Sequence, residues 1–575
     1  MSSAGKWTRK GLKEADAASQ KAYRQFVTVD FKEYLRKWVP LSILIGVVAG
    51  LGAMLFQILL EGMIALVGGT SSWPWLLLIF IPAAGGLAAG WVAQKFEPEA
   101  VGGGTDNVIE SIHMEGGRMS PKVAPVKMAA SVLTIGSGGS AGTEGAVSQI
   151  SGGLASLIGT RLRLKRSDMR IVVIAGMAAG LSAVFRAPLG SAIFAIEVPY
   201  KNDLESSAAI PGVIASVVSY LIFAPFGGYN PLFEGAEVPL TIDLVSMAFV
   251  IAIGLIVGVI GVAFVTLMRR VGKVFKESGL PLYATAAIGG LVVGCIGLFV
   301  PEGLGLSSAS IEGLLQGSLV AMDVLLVIMV AKMLATSFTL GSGGSGGVFF
   351  PLLLIGGCAG GIMASLFGLQ PFTLFVLAGM GAMMGGIMKA PIAASVLVTE
   401  MVGGFNALIP IMIASAVSYI ATGNYSLYSN QIAKSSFRYD LSTLSRIKIS
   451  EVMTKALIML RADDSVSQAQ ELARRSPHFL YPVQGSDGSL VGVLSSQRLM
   501  EVKDGNGKVG EIATFHFETV SEGMTALEAY DLMERQQISR VMVVREDDRR
   551  RIAGLVTRLD LLNLMEHLDE RHRSF

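Results

Sequence analysis

A short glycine-serine segment occurs twice in this chain, and it constrains the fold more than any other feature. Residues 136–140 read Gly-Ser-Gly-Gly-Ser, and residues 341–345 repeat them at an offset of 341 − 136 = 205. A lysine precedes each copy by nine residues, Lys127 in the first and Lys332 in the second. One glycine-rich match is compatible with chance, so the interpretation depends on whether other features repeat in the same register.

Other landmarks do repeat, in the same order. Three further pairs are separated by 203 residues: Ala-Gly-Met at 175–177 and 378–380, Arg-Ala-Pro at 186–188 with Lys-Ala-Pro at 389–391, and Glu197 with Glu400. Low complexity does not keep several landmarks in one order and nearly one register. The sequence therefore predicts a duplicated domain.

The duplicated part has the composition of a membrane domain. The chain is 52% hydrophobic and 16% charged, with 69 glycines, whereas an ordinary soluble protein is about 25% charged. A membrane-spanning helix needs about 20 apolar residues. Long apolar segments lie at 40–68, 73–95, 208–226, 244–268, 282–300 and 322–340, and shorter ones, broken by Gly or Pro, at 123–135, 145–160, 171–186, 188–198, 347–366, 372–388, 391–402 and 406–422.

These segments predict the organisation of the chain. Residues 1–38 are rich in Lys and Arg and lack the pattern of a secretory signal, so they indicate a cytoplasmic leader. The remaining domains are a membrane domain at 39–430 with repeats at 39–226 and 240–430, a linker at 431–449, and two soluble modules at 450–507 and 508–575. The modules are themselves a duplication, since residues 492–495 resemble 554–557 at an offset of 62. Each module is predicted as helix, strand, strand, helix.

The broken segments indicate an ion site. Irregular backbone is tolerated in a bilayer where it lines a cavity, and Gly-interrupted segments at matching places in two halves point to a transporter's binding site. Helix N-termini carry free N–H groups and a partial positive charge that suit an anion. Close helix packing is the alternative interpretation of a single Gly-Ser run, and the duplication favours the site.

Ionisable residues in these segments are the candidate functional groups, because charges inside a membrane are costly. Glu144 follows the first loop at a predicted helix start, where its carboxylate can occupy an anion site when ionised and leave it when protonated. The alternative is a helix-capping glutamate. Lys127 and Lys332 are expected to supply a positive field or to anchor the loops. Glu197 and Glu400 end apolar runs, which favours interfacial or packing roles.

Several other classes of site are disfavoured by the residues. No Lys-Ser or Lys-Thr closes the glycine loops, so they do not fit a phosphate-binding loop. The histidines lack ligand spacing, and Cys295 and Cys358 lie in apolar segments, which predicts neither a metal site nor a disulfide. No basic aromatic patch suggests nucleic acid. An intramembrane hydrolase would need paired catalytic residues, and the membrane part offers only His113, in a polar segment.

Taken together, the loops resemble those of the CLC family of chloride channels and chloride/proton antiporters, across roughly residues 40–430. The segments that carry the resemblance are Gly-Gly-Gly-Thr-Asp at 102–106, Gly-Thr-Glu-Gly-Ala at 142–146, Gly-Val-Phe-Phe-Pro at 347–351 and Ser-Leu-Tyr-Ser at 426–429. The resemblance implies Glu144 as the gate. It implies anion binding at Gly103, Gly104, Val348, Phe349 and Tyr428, with Tyr425 as a weaker candidate for the tyrosine.

Three departures from the family pattern bear on specificity. Gly103 replaces a serine that touches the anion, with Thr105 and Asp106 in place of Ile and Pro, which leaves the choice among chloride, nitrate, bicarbonate and fluoride open. In the gating loop, Thr143 and Ala146 replace Arg and Pro. Val198 stands where many antiporters carry an internal proton-transfer glutamate. This favours passive conduction, or an antiporter with another proton path.

The tail resembles a pair of CBS modules. That resemblance implies possible binding of an adenine nucleotide at Thr557 and Asp560, whereas the first module has Arg498 at the position of the Asp. A purely structural, dimerising tail is the alternative. The expected fold is an all-α polytopic membrane domain with inverted repeats and broken helices, followed by an α/β pair of CBS modules.

The predicted function is transport of a small inorganic anion, chloride first. The resemblance to the CLC family further implies a homodimer with one pore per subunit. The expected location is the inner (plasma) membrane with both termini in the cytoplasm. No cofactor is required and no enzymatic activity is expected. A fluoride exporter of the same family, a membrane-embedded enzyme and a magnesium transporter with CBS modules are the alternatives.

Overall fold

The computed structural model describes residues 31–68, 79–233, 243–433 and 444–561, the last range with short gaps at 446, 456, 476–479, 503–504, 506, 515–516, 537, 549 and 559. Residues 1–30 of the predicted leader, most of the predicted linker and residues 562–575 of the second module lie outside the described residues. The chain divides into two compact units at residue 434.

The described part of the first unit is helical apart from two short strands. Its first half contains α1 (Phe31–Gly68), α2 (Phe80–Phe96), β1 (Gly102–Gly103), α3 (Gly104–Met114), α4 (Val123–Gly136), α5 (Glu144–Arg161), α6 (Arg166–Phe185), α7 (Pro188–Glu197) and α8 (Ala209–Gly227). The second half contains α9 (Leu244–Glu277), α10 (Leu282–Phe299), α11 (Ser308–Leu315), α12 (Met322–Gly341), β2 (Ser345–Gly346), α13 (Phe349–Phe367), α14 (Phe372–Met388), α15 (Pro391–Val402) and α16 (Leu408–Ala421). Each helix of the first half has its counterpart eight helices later.

Seven described helices are long and apolar enough to cross a membrane: those at 34–68, 166–185, 206–227, 244–277, 282–299, 322–341 and 349–367. Five more apolar helices are shorter, at 10–17 residues. Short helices are the expected consequence of the Gly and Pro breaks, since backbone released from a helix must find partners inside the protein. The predicted combination of spanning and broken helices is confirmed.

Two predicted helix boundaries are wrong. Helix α1 begins at Phe31 and contains Pro40, where the sequence predicted a start. Helix α9 continues to Glu277, nine residues beyond the predicted end. In both places the added turns carry Lys and Arg, so a search for apolar residues ends where the helix leaves the hydrocarbon region rather than where the helix ends.

Small residues bring α2 and α10 into close contact. A Cβ on Gly86 would lie 2.4 Å from the Ala286 carbonyl oxygen, and one on Gly294 would lie 2.1 Å from the Ile79 carbonyl oxygen. Gly86 and Gly290 each have a second glycine four residues later, the spacing that lets membrane helices approach closely. These two helices join the halves of the unit.

The second unit contains two small sheets with the same topology. Its elements are α17 (Ile449–Val452), β3 (Leu460–Arg461), α18 (Val466–Arg475), β4 (Leu480–Gln484), β5 (Leu490–Ser495), α19 (Ser496–Glu501), α20 (Val509–Ile512), β6 (Thr519–Ser521), α21 (Ala526–Gln536), β7 (Arg540–Val544) and β8 (Ile552–Thr557). The strand orders are β3-β4-β5 and β6-β7-β8, each with one parallel and one antiparallel pair. The sequence missed β3 and β6 because runs of two and three residues carry no alternation to detect.

The two modules exchange their leading segments. Thr454 pairs with Leu555 of β8, and Thr514 pairs with Val493 of β5. Leu444 and Ile449 accordingly pack in the hydrophobic core of the second module. Each module therefore completes its packing with a segment that the sequence assigned to its neighbour or to the linker.

Candidate anion site

The loop that leads into α3 is held by a buried lysine. Lys127 is fully buried, and its Nζ donates to the carbonyl oxygens of Ala100 (3.1 Å) and Gly102 (2.7 Å). Gly102 has φ +70°, a left-handed conformation that glycine adopts without steric cost. The Gly102 N–H donates to the Gly344 carbonyl oxygen at 2.9 Å. The loop is therefore fixed to both halves of the domain.

Two further helix starts meet beside this loop. Gly142 and Gly347 form a reciprocal backbone pair, with both N–H···O distances at 2.8 Å. Helix α5 begins two residues after Gly142, and α13 begins two residues after Gly347. The first N–H groups of a helix have no partner within the helix. The pair therefore brings free N–H groups from both halves to one place.

Glu144 occupies this place with its own carboxylate. Its side chain is 2% exposed, and one carboxylate oxygen accepts a hydrogen bond from the backbone N–H of Phe349. The other oxygen, Oε2, has no hydrogen-bond partner among the described residues. A Cβ on either Gly142 or Gly347 would lie 2.1 Å from a Glu144 carboxylate oxygen, so a side chain at either position would displace the acid from this place. The carboxyl group of Glu144 thus lies at the N-terminus of α13.

A cavity of about 250 Å³ is lined in part by the same loops. Its lining residues come from the α3 loop, α9, α12, the start of α13 and the segment after α16: Gly102, Gly103, Asp106, Met268, Arg269, Gly272, Leu340, Gly341, Val348, Leu427 and Tyr428. Three of the predicted anion-binding residues, Gly103, Val348 and Tyr428, therefore share one cavity.

The other two predicted anion-binding residues are not on the cavity wall. Gly104 is packed against α5, where a Cβ would lie 2.3 Å from the Gly145 carbonyl oxygen. Phe349 is fully buried, and its ring lies 4.3 Å from that of Phe185, centroid to centroid. Phe349 acts through its N–H on Glu144, and Gly104 allows the close approach of two helix starts.

Tyr428 lies in a non-helical turn after α16 rather than in a helix. Its ring is 4% exposed, and its N–H donates to the Ser426 hydroxyl at 3.1 Å. The amide of Gln431 fixes the end of the turn by donating to the carbonyl oxygens of Val198 and Met388, both at 2.7 Å. Tyr425, the weaker candidate, is 51% exposed and does not line the cavity.

The second buried lysine repeats the arrangement of the first. Lys332 donates to the Gly305 carbonyl oxygen and to the Ser307 hydroxyl, both at 2.7 Å. Both lysines anchor loops, as the sequence predicted.

Glu197 and Glu400 exchange helix caps. The Glu197 carboxylate accepts from the N–H groups of Ile392 (3.2 Å) and Ala393 (2.6 Å) at the start of α15. Glu400, on α15, accepts from Leu189 (3.2 Å) and Gly190 (2.7 Å) at the start of α7. Each acid sits at the end of one helix and caps the start of the other, which requires antiparallel helices related by a two-fold axis. The predicted inverted repeat is visible in this pair.

Val198 is fully buried beside this cap. The neighbouring Glu197 carboxylate is committed to the N-terminus of α15, as described above. The predicted position of an internal proton carrier is therefore aliphatic, and the adjacent acid points to a helix end.

In the tail, Thr557 and Asp560 lie together and bond to one another. The Thr557 N–H and hydroxyl both donate to the Asp560 carboxylate at 2.8 Å, and the Asp560 N–H donates to the Thr557 hydroxyl at 3.1 Å. This is a reciprocal helix cap. In the first module, Ser495 accepts from the Arg498 N–H at 3.2 Å, which is the one such bond at this place among the described residues.

Two charged residues of the cavity were not assigned by the sequence. Arg269 lies on α9 directly after the apolar segment at 244–268. Asp106 was noted only as a departure from the family pattern. Basic residues commonly flank membrane helices, so no pattern in the sequence singled out Arg269.

Both units of the chain resemble known protein families. Residues 85–423 match the family model described as voltage gated chloride channel, and residues 449–505 and 509–567 each match the CBS domain model. A putative chloride channel protein ClcB-like from Ralstonia nicotianae is 30% identical over 388 residues, which cover 64% of this chain and 88% of that protein.

Solved structures extend the similarity to the fold. A CLC-type fluoride/proton antiporter is 25% identical with a TM-score of 0.63 over 69% of this chain and 98% of the other. A eukaryotic CLC transporter, 18% identical, has a TM-score of 0.64 over 92% of this chain and 98% of its own, which shows a shared fold. The chain is therefore a multi-span anion transport protein that belongs to the voltage-gated chloride channel (CLC) family and carries two CBS domains.

Proposed function

We propose that each subunit moves chloride through the cavity beside Tyr428 and past Glu144, which acts as the gate. One observation carries the proposal: the Glu144 carboxylate accepts the Phe349 N–H at the start of α13, between Gly142 and Gly347. A carboxylate bound there competes with a transported anion for the same N–H group. Protonation removes its negative charge, so the side chain leaves and the anion enters.

The surroundings support an anion rather than a cation. The helix starts of α5 and α13 converge at the site, and helix N-termini favour negative charge. Lys127 and Lys332 are buried in the same domain, and in their protonated form they would oppose a magnesium ion. The proposed cycle breaks no covalent bond, so we expect no enzymatic turnover and no required cofactor.

Passive conduction is the first form of this proposal. Val198 cannot carry a proton, and the neighbouring Glu197 carboxylate is engaged with two N–H groups of α15. Proton-coupled exchange is the second candidate, with chloride or fluoride as the anion. It is favoured by the similarity to a fluoride/proton antiporter and by Gly103, which has no hydroxyl for the anion.

One reconstitution experiment separates these forms. The wild-type protein is placed in liposomes that contain chloride, fluoride or nitrate, with a pH-sensitive dye inside. Anion release without proton movement supports conduction, and release that drives protons uphill supports exchange. Comparison of the initial rates for the three ions ranks selectivity. If protein-containing liposomes release none of these anions faster than empty ones, the proposed function is wrong.

We also propose a homodimer in the plasma membrane with both termini in the cytoplasm. Helices α8, α7, α15 and α16 form one contiguous layer, and its outward side exposes large apolar side chains, among them Ile210, Val217, Ile392 and Ile409. Such a face fits a second copy of the chain as well as lipid. Cross-linking of a single cysteine introduced at Val217 tests the dimer, and monomeric protein throughout would contradict it.

The CBS pair is proposed to bind an adenine nucleotide at Thr557 and Asp560. The reciprocal bonds between these residues support either a preformed polar site or a structural cap. Calorimetry of the full chain in detergent with ATP, ADP and AMP decides between them. No heat at millimolar nucleotide would remove the nucleotide proposal and leave the structural role.

A further inference from the structure

The cavity beside Tyr428 contains two opposite charges that the proposed gate does not use. Arg269 comes from α9, and Asp106 comes from the first turn of α3. The remaining lining residues are glycines, apolar residues and Tyr428. An anion in this cavity therefore faces one positive and one negative side chain.

Arg269 is exposed and keeps most of its donors available. Its Nη2 donates to the Ser426 carbonyl oxygen at 2.6 Å, and this is the hydrogen bond it makes to the described residues. A guanidinium carries five N–H donors in a planar fork and stays charged at any physiological pH. The other donors therefore remain for water or for an anion at the cavity wall.

Asp106 holds the other end of the same turn. Its carboxylate accepts from the Ser429 hydroxyl at 2.7 Å and from the Asn430 N–H at 3.0 Å. Arg269 and Asp106 thus bind the turn on either side of Tyr428. The two residues share a structural role, and their charges act on an anion in opposite directions.

We propose that Arg269 captures the anion at the mouth of the cavity and sets the concentration at which transport saturates, with Asp106 as the opposing charge. This inference rests on the proposed function, because it concerns the same anion route. A fixed charge in a water-filled cleft raises the local concentration of its counter-ion. At separations near 10 Å and at dielectric values between those of water and of protein surfaces, a unit charge changes the local concentration of its counter-ion by about two- to sixteen-fold.

A purely structural role for Arg269 makes different predictions. If the residue only fixes Tyr428 through Ser426, its loss would lower the maximal rate, would not be rescued by another cation, and would not depend on salt. Capture by charge instead changes the half-saturating concentration, is retained by lysine, and is screened by salt. Screening acts over about 30 Å at 0.01 M and about 10 Å at 0.1 M ionic strength.

The test uses the full-length protein in liposomes with chloride as the probe. Initial chloride flux is measured against chloride concentration at low ionic strength, and again with a large organic salt that adds ionic strength without chloride. The variants are Arg269→Gln, Arg269→Lys and Asp106→Asn. Arg270→Gln is the matched control, because Arg270 is exposed on the same helix turn and does not line the cavity.

For Arg269→Gln we expect a rise of about three-fold in half-saturating chloride at low ionic strength, with an unchanged maximal rate, and a return toward wild type at high ionic strength. Arg269→Lys and Arg270→Gln should stay within about two-fold of wild type. Asp106→Asn should lower half-saturating chloride by about two-fold, which provides an independent result of opposite sign.

The inference is overturned if Arg269→Gln matches wild type at low ionic strength. It is also overturned if Arg269→Gln and Arg269→Lys lose the same maximal rate irrespective of salt, since that result assigns a structural role. Both outcomes require wild-type flux, so they are distinct from failure of the proposed function, in which the wild type itself moves no anion.

Discussion

Glu144 begins α5 in the first half of the membrane domain, and Phe349 begins α13 in the second half. The two positions correspond, since they are separated by 349 − 144 = 205 residues. The two residues contact each other directly, because the carboxylate of the first accepts the N–H of the second. The duplication supplies two equivalent helix starts. Because the two halves differ at this position, the first helix start carries the carboxylate of Glu144 and the second supplies the N–H of Phe349 that it binds.

The loops that precede these helices show the same relation. Gly102 donates to Gly344 at 2.9 Å, and its counterpart Gly305 donates to Gly138 at 3.0 Å, so each loop is fixed to the glycine-serine segment of the other half. Buried lysines hold both loops. The first loop lines the cavity through Gly102 and Gly103. The second loop does not line it, and its Ser307 hydroxyl accepts a hydrogen bond from Lys332 instead.

The comparison separates scaffold from function. The lysine anchors, the exchanged glutamate caps and the glycine pairs occur in both halves, so they belong to the scaffold that the duplication created. Glu144 and the loop open to the cavity occur in one half, so they belong to the transport route. Substitutions in the shared features should have similar effects in both halves, and substitutions in the route should not.

The largest effect on stability is expected for Lys127→Met and Lys332→Met. Each removes the donor of two or more buried hydrogen bonds and leaves backbone carbonyls without a partner, at a cost of about 2–4 kcal/mol. Thermal unfolding in detergent measures this loss, with exposed Lys122→Met as control. A large loss for one lysine and none for the other would contradict their shared role as anchors.

A smaller effect is expected for the exchanged caps. Glu197→Gln or Glu400→Gln removes the charge at a helix start and one of two N–H acceptors, at a cost of about 1–2 kcal/mol. Glu197→Gln should lower the free energy of unfolding more than Glu400→Gln, since Glu197 is buried and Glu400 is only partly buried. The same unfolding assay applies, with exposed Glu312→Gln as control. Equal stability of both variants and the wild type would argue against the caps.

Two neighbouring glycines of the first loop should behave differently. An alanine at Gly104 meets the Gly145 carbonyl oxygen, so Gly104→Ala should destabilise by about 1–3 kcal/mol through overpacking. Gly103→Ala has open space for its Cβ and should leave stability unchanged. Its added methyl group faces the cavity, so flux is its informative readout. Similar melting temperatures for the two variants would contradict the packing of Gly104.

The smallest effect concerns the duplicated tail. Thr557→Ala removes a reciprocal cap, so we expect the free energy of unfolding to fall by about 1 kcal/mol. Ser495→Ala removes a single hydrogen bond, so its loss should be smaller. Hydrogen exchange of the peptides that contain β8 and β5 measures each change in the full chain. Faster exchange at β5 in Ser495→Ala than at β8 in Thr557→Ala would reverse the expected order.

The sequence predicted what depends on repetition and hydropathy. The duplication, the broken helices, the place of Glu144 at a helix start and the lysine anchors all follow from residues whose spacing recurs. It could not predict that the acids at 197 and 400 cap each other's helices, because that contact depends on the two-fold arrangement of α7 and α15. The strands β3 and β6 were too short to detect.

Long-range geometry also decides the composition of the cavity. Arg269 is about 160 residues from Tyr428, and only the folded chain brings α9 beside the turn after α16. Folding also decides which of the predicted anion-binding residues line the cavity and which pack behind it. Gly103 and Gly104 are adjacent in sequence, yet one faces open space and the other faces a carbonyl oxygen.

The pH dependence of chloride flux in Glu144→Gln tests the account most directly. In the wild type an ionised Glu144 holds the Phe349 N–H, so flux should rise as pH falls and the acid becomes protonated. Glutamine cannot ionise, so the variant should conduct at all pH values at a rate close to that of the wild type at low pH. A variant whose flux still falls steeply as pH rises would contradict the assignment of Glu144 as the gate.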